Sequence, residues 1–109
     1  MLTPTRAIFE ALPLEQGRGL RLMGELCLST TGDLVRMLDG LPAGADILDV
    51  AELSFMDSSG LHAFEQYARR LESRPLVILN APAPVRRLFE LTGAHLNPDI
   101  ELRNDDHHG

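Results

Sequence analysis

The stretch from Asp46 to Gly60, Asp-Ile-Leu-Asp-Val-Ala-Glu-Leu-Ser-Phe-Met-Asp-Ser-Ser-Gly, constrains the fold more than any other part of the chain. Ile47 to Leu53 is rich in branched apolar residues and reads as a strand. The run breaks at Asp57-Ser58-Ser59-Gly60, and a helical pattern begins at Leu61. Asp and Ser are favoured N-caps because their side-chain oxygens accept from backbone N–H groups that a helix leaves unpaired. The segment is therefore strand, short loop, helix, with the hydroxyls of Ser58 and Ser59 at a helix N-terminus. That end of a helix favours anions. A serine there serves as a plain cap, as a nucleophile or as the carrier of a phosphate, and local sequence is compatible with all three.

The flanking segments extend this unit. Residues 1–5 read as a loose start and residues 6–12 as an edge strand, closed by Pro13 and the turn Glu15-Gln16-Gly17-Arg18-Gly19. From Leu20 to Ser29, Leu20, Leu22, Leu26 and Leu28 alternate with Arg21, Met23, Glu25 and Cys27, a second strand that forms a hairpin with the first. Gly24 within it marks a bulge or a close backbone approach. Thr30-Thr31-Gly32-Asp33 supplies caps for a helix carrying Leu34, Val35, Leu38 and Leu41, ended by Gly40 and Pro42. The helix after the central strand is expected over 58–73, with Leu61, Phe64, Ala68 and Leu71 inward. His62, Glu65, Gln66, Arg69, Arg70 and Glu72 face outward, with Glu65 and Arg69 spaced as a surface pair. The continuous run Leu76-Val77-Ile78-Leu79 suits a parallel strand covered on both faces. Pro82 and Pro84 open a last helix with Val85, Leu88 and Phe89, and Gly93 is its C-cap. Ile100 to Leu102 is a short final strand and 104–109 a frayed tail.

The order β-β-α-β-α-β-α-β predicts one α/β domain over 1–109, with its core over about 6–103. Its sheet is mixed and mostly parallel, with four to five strands, flanked by about three helices. The strand 47–53, its helix and the strand 76–79 form a right-handed βαβ unit. A chain of 109 residues, 44% hydrophobic, builds one core without disulfides or metal. The single Cys27 rules out an internal disulfide and is compatible with a reducing cytoplasm; near the end of a strand it reads as a small buried hydrophobe before it reads as a reactive thiol. A net charge of -6 argues against nucleic acid or an anionic membrane as the main partner. All ten basic residues are arginine, which we read as composition bias. No apolar run reaches transmembrane length and no signal-peptide pattern opens the chain, so the expected location is cytoplasmic.

In open α/β sheets, ligands and partners meet the loops at the carboxyl ends of the parallel strands. Three loops gather there, over 29–33, 54–60 and 80–84. A nucleophile elbow needs Gly-x-Ser-x-Gly, and Met56-Asp57-Ser58-Ser59-Gly60 lacks the first glycine. His62, one turn into the helix, faces outward and is no base for either serine. Gly17-Arg18-Gly19 is only a fragment of a dinucleotide fingerprint, and no phosphate loop with its lysine occurs. His107 and His108 beside Asp105 and Asp106 read as a solvated tail before they read as a metal site. Arg86 and Arg87 read as the polar face of the last helix before they read as a partner contact. The residues imply no enzyme, metal or cofactor.

Phe55-Met56-Asp57-Ser58-Ser59-Gly60-Leu61 after an apolar strand resembles the signature of STAS domains, specifically the bacterial anti-sigma factor antagonists. Gly24-Glu25-Leu26-x-Leu28-Ser29-Thr30 resembles the family's second block, and Ile47-Leu48-Asp49-Val50 its strand leading into the site. The resemblance covers roughly residues 6 to 103. It implies a non-enzymatic switch in which Ser59 is phosphorylated by an anti-sigma factor that is also a GHKL-type serine kinase. The unphosphorylated protein binds that partner, the phosphorylated one releases it, and a phosphatase resets the switch. Asp57, Ser58, Gly60, Leu61, Cys27, Ser29, Thr30 and Thr31 would shape the loops or touch the partner. Cys27 stands where family members commonly carry Asp. The same family also supplies subunits of lipid-type membrane transport complexes and modules that sense small ligands, the two alternatives to a partner switch.

Overall fold

The computed structural model describes residues 7–105. In chain order the elements are β1 (Phe9–Pro13), a 3-10 turn (Glu15–Gly17), β2 (Gly19–Leu26), α1 (Thr31–Asp39) and β3 (Ile47–Met56). There follow α2 (Ser58–Arg70), β4 (Leu76–Leu79), α3 (Ala83–Thr92), a second 3-10 turn (Ala94–Leu96) and β5 (Ile100–Arg103). The five strands form one sheet in sequential order. β1 is antiparallel to β2, and every other pair is parallel. This is the expected α/β architecture. The loose start at residues 1–5 and the tail residues 106–109, with His107 and His108, lie outside the described residues.

Sequential strand order decides where the helices go. Each crossover from β2 to β5 steps to the next strand in the same direction, so right-handed connections all pass over one face. The core agrees. Leu34 and Leu38 of α1, Phe64 and Ala68 of α2, and Val85 and Phe89 of α3 join Leu20, Leu22, Leu48, Val50, Leu76 and Ile78 in a single cluster. Burying each of these Leu, Val, Ile and Phe side chains contributes roughly 1.5–3 kcal/mol. Arg21 and Asp49, opposite each other in register, form an ion pair on the other face, at 3.7 Å. The apolar run of β4 therefore does not signal helices on both sides. Val77 alternates away from the cluster and is shielded between its register neighbours Ile47 and Glu101.

Several boundaries shift where tertiary partners outweigh local pattern. β3 runs on to Met56, past the expected end at Leu53, because β2 pairs with it as far as Leu26 opposite Met56. The expected loop over 54–60 shrinks to Asp57 alone. β2 ends at Leu26, short of the expected Ser29, because the backbone of Cys27 turns back to Thr30. β1 includes Pro13, which an edge strand tolerates because its missing N–H would have pointed away from β2. α2 stops at Arg70, short of 73, where Leu71 adopts an extended conformation. The expected surface pair of Glu65 and Arg69 does not form among the described residues; Arg70 instead reaches Asp39 of α1 at 2.7 Å. Tyr67 is buried on the inward face of α2, and its hydroxyl donates to the Ala45 carbonyl at 2.6 Å. Burial raises its pKa above the ordinary phenolic value. Gly93 closes α3 in the left-handed conformation as expected.

Gly24 combines both alternatives read for it. It has φ of +94°, and the β2–β3 register shifts between Gly24 and Glu25. A Cβ there would lie 2.1 Å from the Ile8 carbonyl oxygen, which accepts from the Glu25 N–H. Gly24→Ala must therefore strain the backbone or push β1 away, and is expected to cost at least about 2 kcal/mol. Urea denaturation checks this, with a lower midpoint at an unchanged slope as the expected outcome.

Candidate functional site

Asp57 is the one residue between β3 and α2, and its side chain organises the carboxyl edge of the sheet. Oδ1 accepts from the Ser59 N–H at 3.0 Å, the Ser59 hydroxyl at 2.5 Å and the Gly60 N–H at 3.4 Å. Oδ2 accepts from the Leu28 N–H at 3.3 Å, which ties the β2–α1 loop to the start of α2. The Asp57 carbonyl also takes the Gly60 and Leu61 N–H groups, so the Ser59, Gly60 and Leu61 donors at the open end of the helix all have partners. Partial burial pushes the carboxyl upward in pKa, but the hydrogen bonds from Ser59, Gly60 and Leu28 outweigh it. The net position is below the ordinary aspartate value.

The β2–α1 loop has its own centre in Thr30, which is buried. Its hydroxyl donates to the Glu25 carbonyl at 2.9 Å and accepts from the Cys27 N–H at 2.9 Å. The N–H groups of Thr30 and Thr31 both donate to the Cys27 carbonyl. Thr30 occupies the N-cap position of α1 without making a side-chain cap bond, because its hydroxyl is committed inward. This turn takes Leu28, expected on the second strand with Leu20, Leu22 and Leu26, out to 80% exposure beside Asp57.

Cys27 is likewise not a buried hydrophobe. Once β2 ends at Leu26, its thiol lies half-exposed in the turn, with Sγ 3.2 Å from the Ser29 hydroxyl. Ser29 is the main cause of a thiol pKa below the ordinary value, with Thr30 adding to it, while burial and the Asp57 charge act in the opposite sense.

The structure thus gathers Asp57, Ser58, Ser59, Cys27, Ser29 and Thr31 at one edge, and adds Leu28. Ser58 is exposed and Ser59 half-buried. Gly60 and Leu61 are buried, as is Thr30, so they hold the turn from beneath. A Cβ on Gly60 would come within 2.8 Å of the Leu26 side chain, so its role is to let α2 pack closely on β2. The third loop divides. Asn80, with φ of +60°, accepts from the Asp105 N–H beyond β5, whereas Ala83 and Pro84 lie beside Phe55 and Met56. Arg86, read as part of a polar face, binds the Ala81 carbonyl and the Asn104 side chain. Asn104 and Asp105 are thereby tied down, against the expected frayed tail.

Among the described residues no group of three His, Cys, Asp or Glu is placed to hold a metal, and no helix is long and apolar enough to cross a membrane. His62 is exposed, as expected, and neither loop serine bonds a histidine among these residues.

The fold is a single α/β domain with a capped Asp-Ser-Ser-Gly turn on its sheet edge. The STAS domain family model matches residues 15–107, and the chain belongs to that family. It is similar in structure to an anti-sigma factor antagonist from Mycobacterium paratuberculosis, with 16% identity over 86% of each chain and a TM-score of 0.72. It is also similar to the anti-sigma factor antagonist SpoIIAA in its unphosphorylated form, with 22% identity over 87% of each chain and a TM-score of 0.63. At these identities the likeness is one of fold. No curated protein sequence matches the chain significantly.

Two outcomes follow from this geometry. Asp57→Ala removes the cap and is expected to cost about 1 kcal/mol at neutral pH. Because the folded-state pKa is depressed, the ionised carboxylate's contribution is complete above the unfolded value near ~3.9 and is lost as pH falls through the lower folded value. Urea titrations of wild type and Asp57→Ala should therefore converge between about pH 4 and pH 2. For Cys27, iodoacetamide alkylation followed against pH should show a midpoint below the ordinary value of about 8.5. Ser29→Ala should move that midpoint upward, since Ser29 is the main cause of the shift.

Proposed function

We propose that the protein is an anti-sigma factor antagonist working as a partner switch in the cytoplasm, with Ser59 as its phosphoacceptor. The observation that carries this reading is the Ser59 hydroxyl, held to the Asp57 carboxylate on the first turn of α2 at the sheet's carboxyl edge. An O–H that donates inward leaves the oxygen's lone pairs for an incoming phosphoryl group. The partner is an anti-sigma factor that is also a GHKL-type serine kinase, and a phosphatase restores the free hydroxyl. The unphosphorylated protein binds the partner through the exposed residues Ser58, Leu28 and Ser29, with no chemistry of its own. The two similar structures named above are of anti-sigma factor antagonists, which supports the reading.

The electrostatics give the switch its mechanism. A phosphoryl group adds about -1.5 to -2 charges. On Ser59 it destroys the hydroxyl's bond to Asp57, places like charges side by side and competes for the Ser59 and Gly60 N–H groups. Displacing Asp57 also releases the Leu28 N–H, so the modification reaches the β2–α1 loop as well as the modified turn. A partner docked on that edge meets a hydrated dianion and a loosened loop. The small-anion sensor is the weaker reading, because the Ser59, Gly60 and Leu61 N–H groups are occupied by Asp57.

Affinity capture with wild type and Ser59→Glu as paired baits tests the proposal. A GHKL-type kinase should be retained by wild type and lost at least about tenfold with Ser59→Glu, equivalent to 1.4 kcal/mol. Mass spectrometry of protein phosphorylated by that kinase should place the phosphate on Ser59 and leave Ser58 free. Equal recovery by both baits, or phosphate on Ser58, would sink the assignment.

A further inference from the structure

Beside α3 lies an apolar groove that the Ser59 turn does not use. β3 outruns β4, whose last ladder partner on β3 is Asp49, and α3 packs against β3. Phe55, Pro84, Arg87, Leu88 and Leu91 line a groove of about 480 Å³ between them. Pro84, Leu88 and Leu91 follow helical spacing, so they form one stripe along α3. Phe55 is 47% exposed and Leu91 79% exposed, large apolar surfaces that the fold leaves uncovered.

Two features say what covers them. Leu91 stands at the lip of the groove that it helps to line, so one patch carries both an apolar knob and an apolar hole. Self-complementarity of that kind is the requirement for an isologous two-fold contact. On the same helix, Arg87 and Glu90 are exposed, and neither joins an ion pair among the described residues. If two α3 helices cross antiparallel about an axis between these positions, Arg87 of each copy faces Glu90 of the other. The net charge of -6 opposes self-association over most of the surface, and this reciprocal pairing relieves the repulsion locally.

We propose that the α3 groove is the interface of a two-fold homodimer. Leu91 of each copy seats against Phe55 and Leu88 of the other, and Arg87 pairs with Glu90 across the axis. The patch is short, so the dimer is concentration-dependent. This inference stands apart from Ser59: neither the groove nor the charge pair includes the phosphoacceptor turn.

Sedimentation velocity and light scattering on the full chain, from roughly 10 µM to 1 mM, test it. Wild type should pass from monomer to dimer across that range. Leu91→Arg and Arg87→Glu should each stay monomeric at the top of the range, with circular dichroism unchanged because both positions are exposed. The double variant Arg87→Glu/Glu90→Arg should dimerise again, since the swap restores the pairing. Three results would overturn the proposal. Wild type monomeric throughout would assign the groove to a partner of different sequence. Leu91→Arg dimerising like wild type would place the contact elsewhere. A charge-swapped variant that stays monomeric would exclude the antiparallel pairing of α3.

Discussion

The Asp57 carboxylate is the interaction on which the functional edge depends. β3 runs into α2 through this single residue, so the chain reverses with no loop to absorb error. Four donors from two segments converge on its two oxygens: the Ser59 N–H and hydroxyl, the Gly60 N–H, and the Leu28 N–H. Together they outweigh the cost of partial burial and keep the charge in place. A capped helix, an oriented serine and a neighbouring loop are thus one electrostatic unit. A change at Ser59 cannot stay local, because the acceptor that holds Ser59 also holds Leu28.

Beneath that unit the packing is close. Gly60 has no room for a Cβ against Leu26, which places the first turn of α2 directly on the end of β2. Thr30 performs the equivalent task for the neighbouring loop. Its buried hydroxyl joins the Glu25 carbonyl and the Cys27 N–H, so the turn closes on a side chain where a strand would have continued. The exposed Leu28 and the half-exposed Cys27 are consequences of that turn. The edge therefore separates into residues that set its shape from below and residues that present chemistry above.

The sheet places everything else. With strands in sequential order the helices share one face and one core, while the opposite face carries side chains such as the paired Arg21 and Asp49. β4 is short and β3 long, and α3 lies against β3 where its tip projects. The same length mismatch sets the Asp57 turn beyond the body of the sheet and opens the apolar groove beside Phe55.

Periodicity and punctuation in the chain were enough for the element order, the hairpin, the apolar strand at Leu76–Leu79 and the Gly93 cap, since each rests on local conformational preference. The Asp-Ser-Ser-Gly turn was legible for the same reason: its cap acts over three residues, between Asp57 and Gly60. What lay beyond the sequence were features decided by groups distant along the chain. The last residues of β3 are held by β2, the end of β2 by the Thr30 hydroxyl, and the backbone N–H of Leu28 by an aspartate far along the chain. Tyr67 looked like any residue of a helix until the Ala45 carbonyl came within reach of its hydroxyl. Cys27 alternated as an inward-or-outward strand residue should, yet its environment was set by where the strand stopped. Local backbone preferences were written into the sequence, whereas strand ends, exposure at the site and the groove beside α3 depended on long-range pairing and packing, which no short window of residues contains.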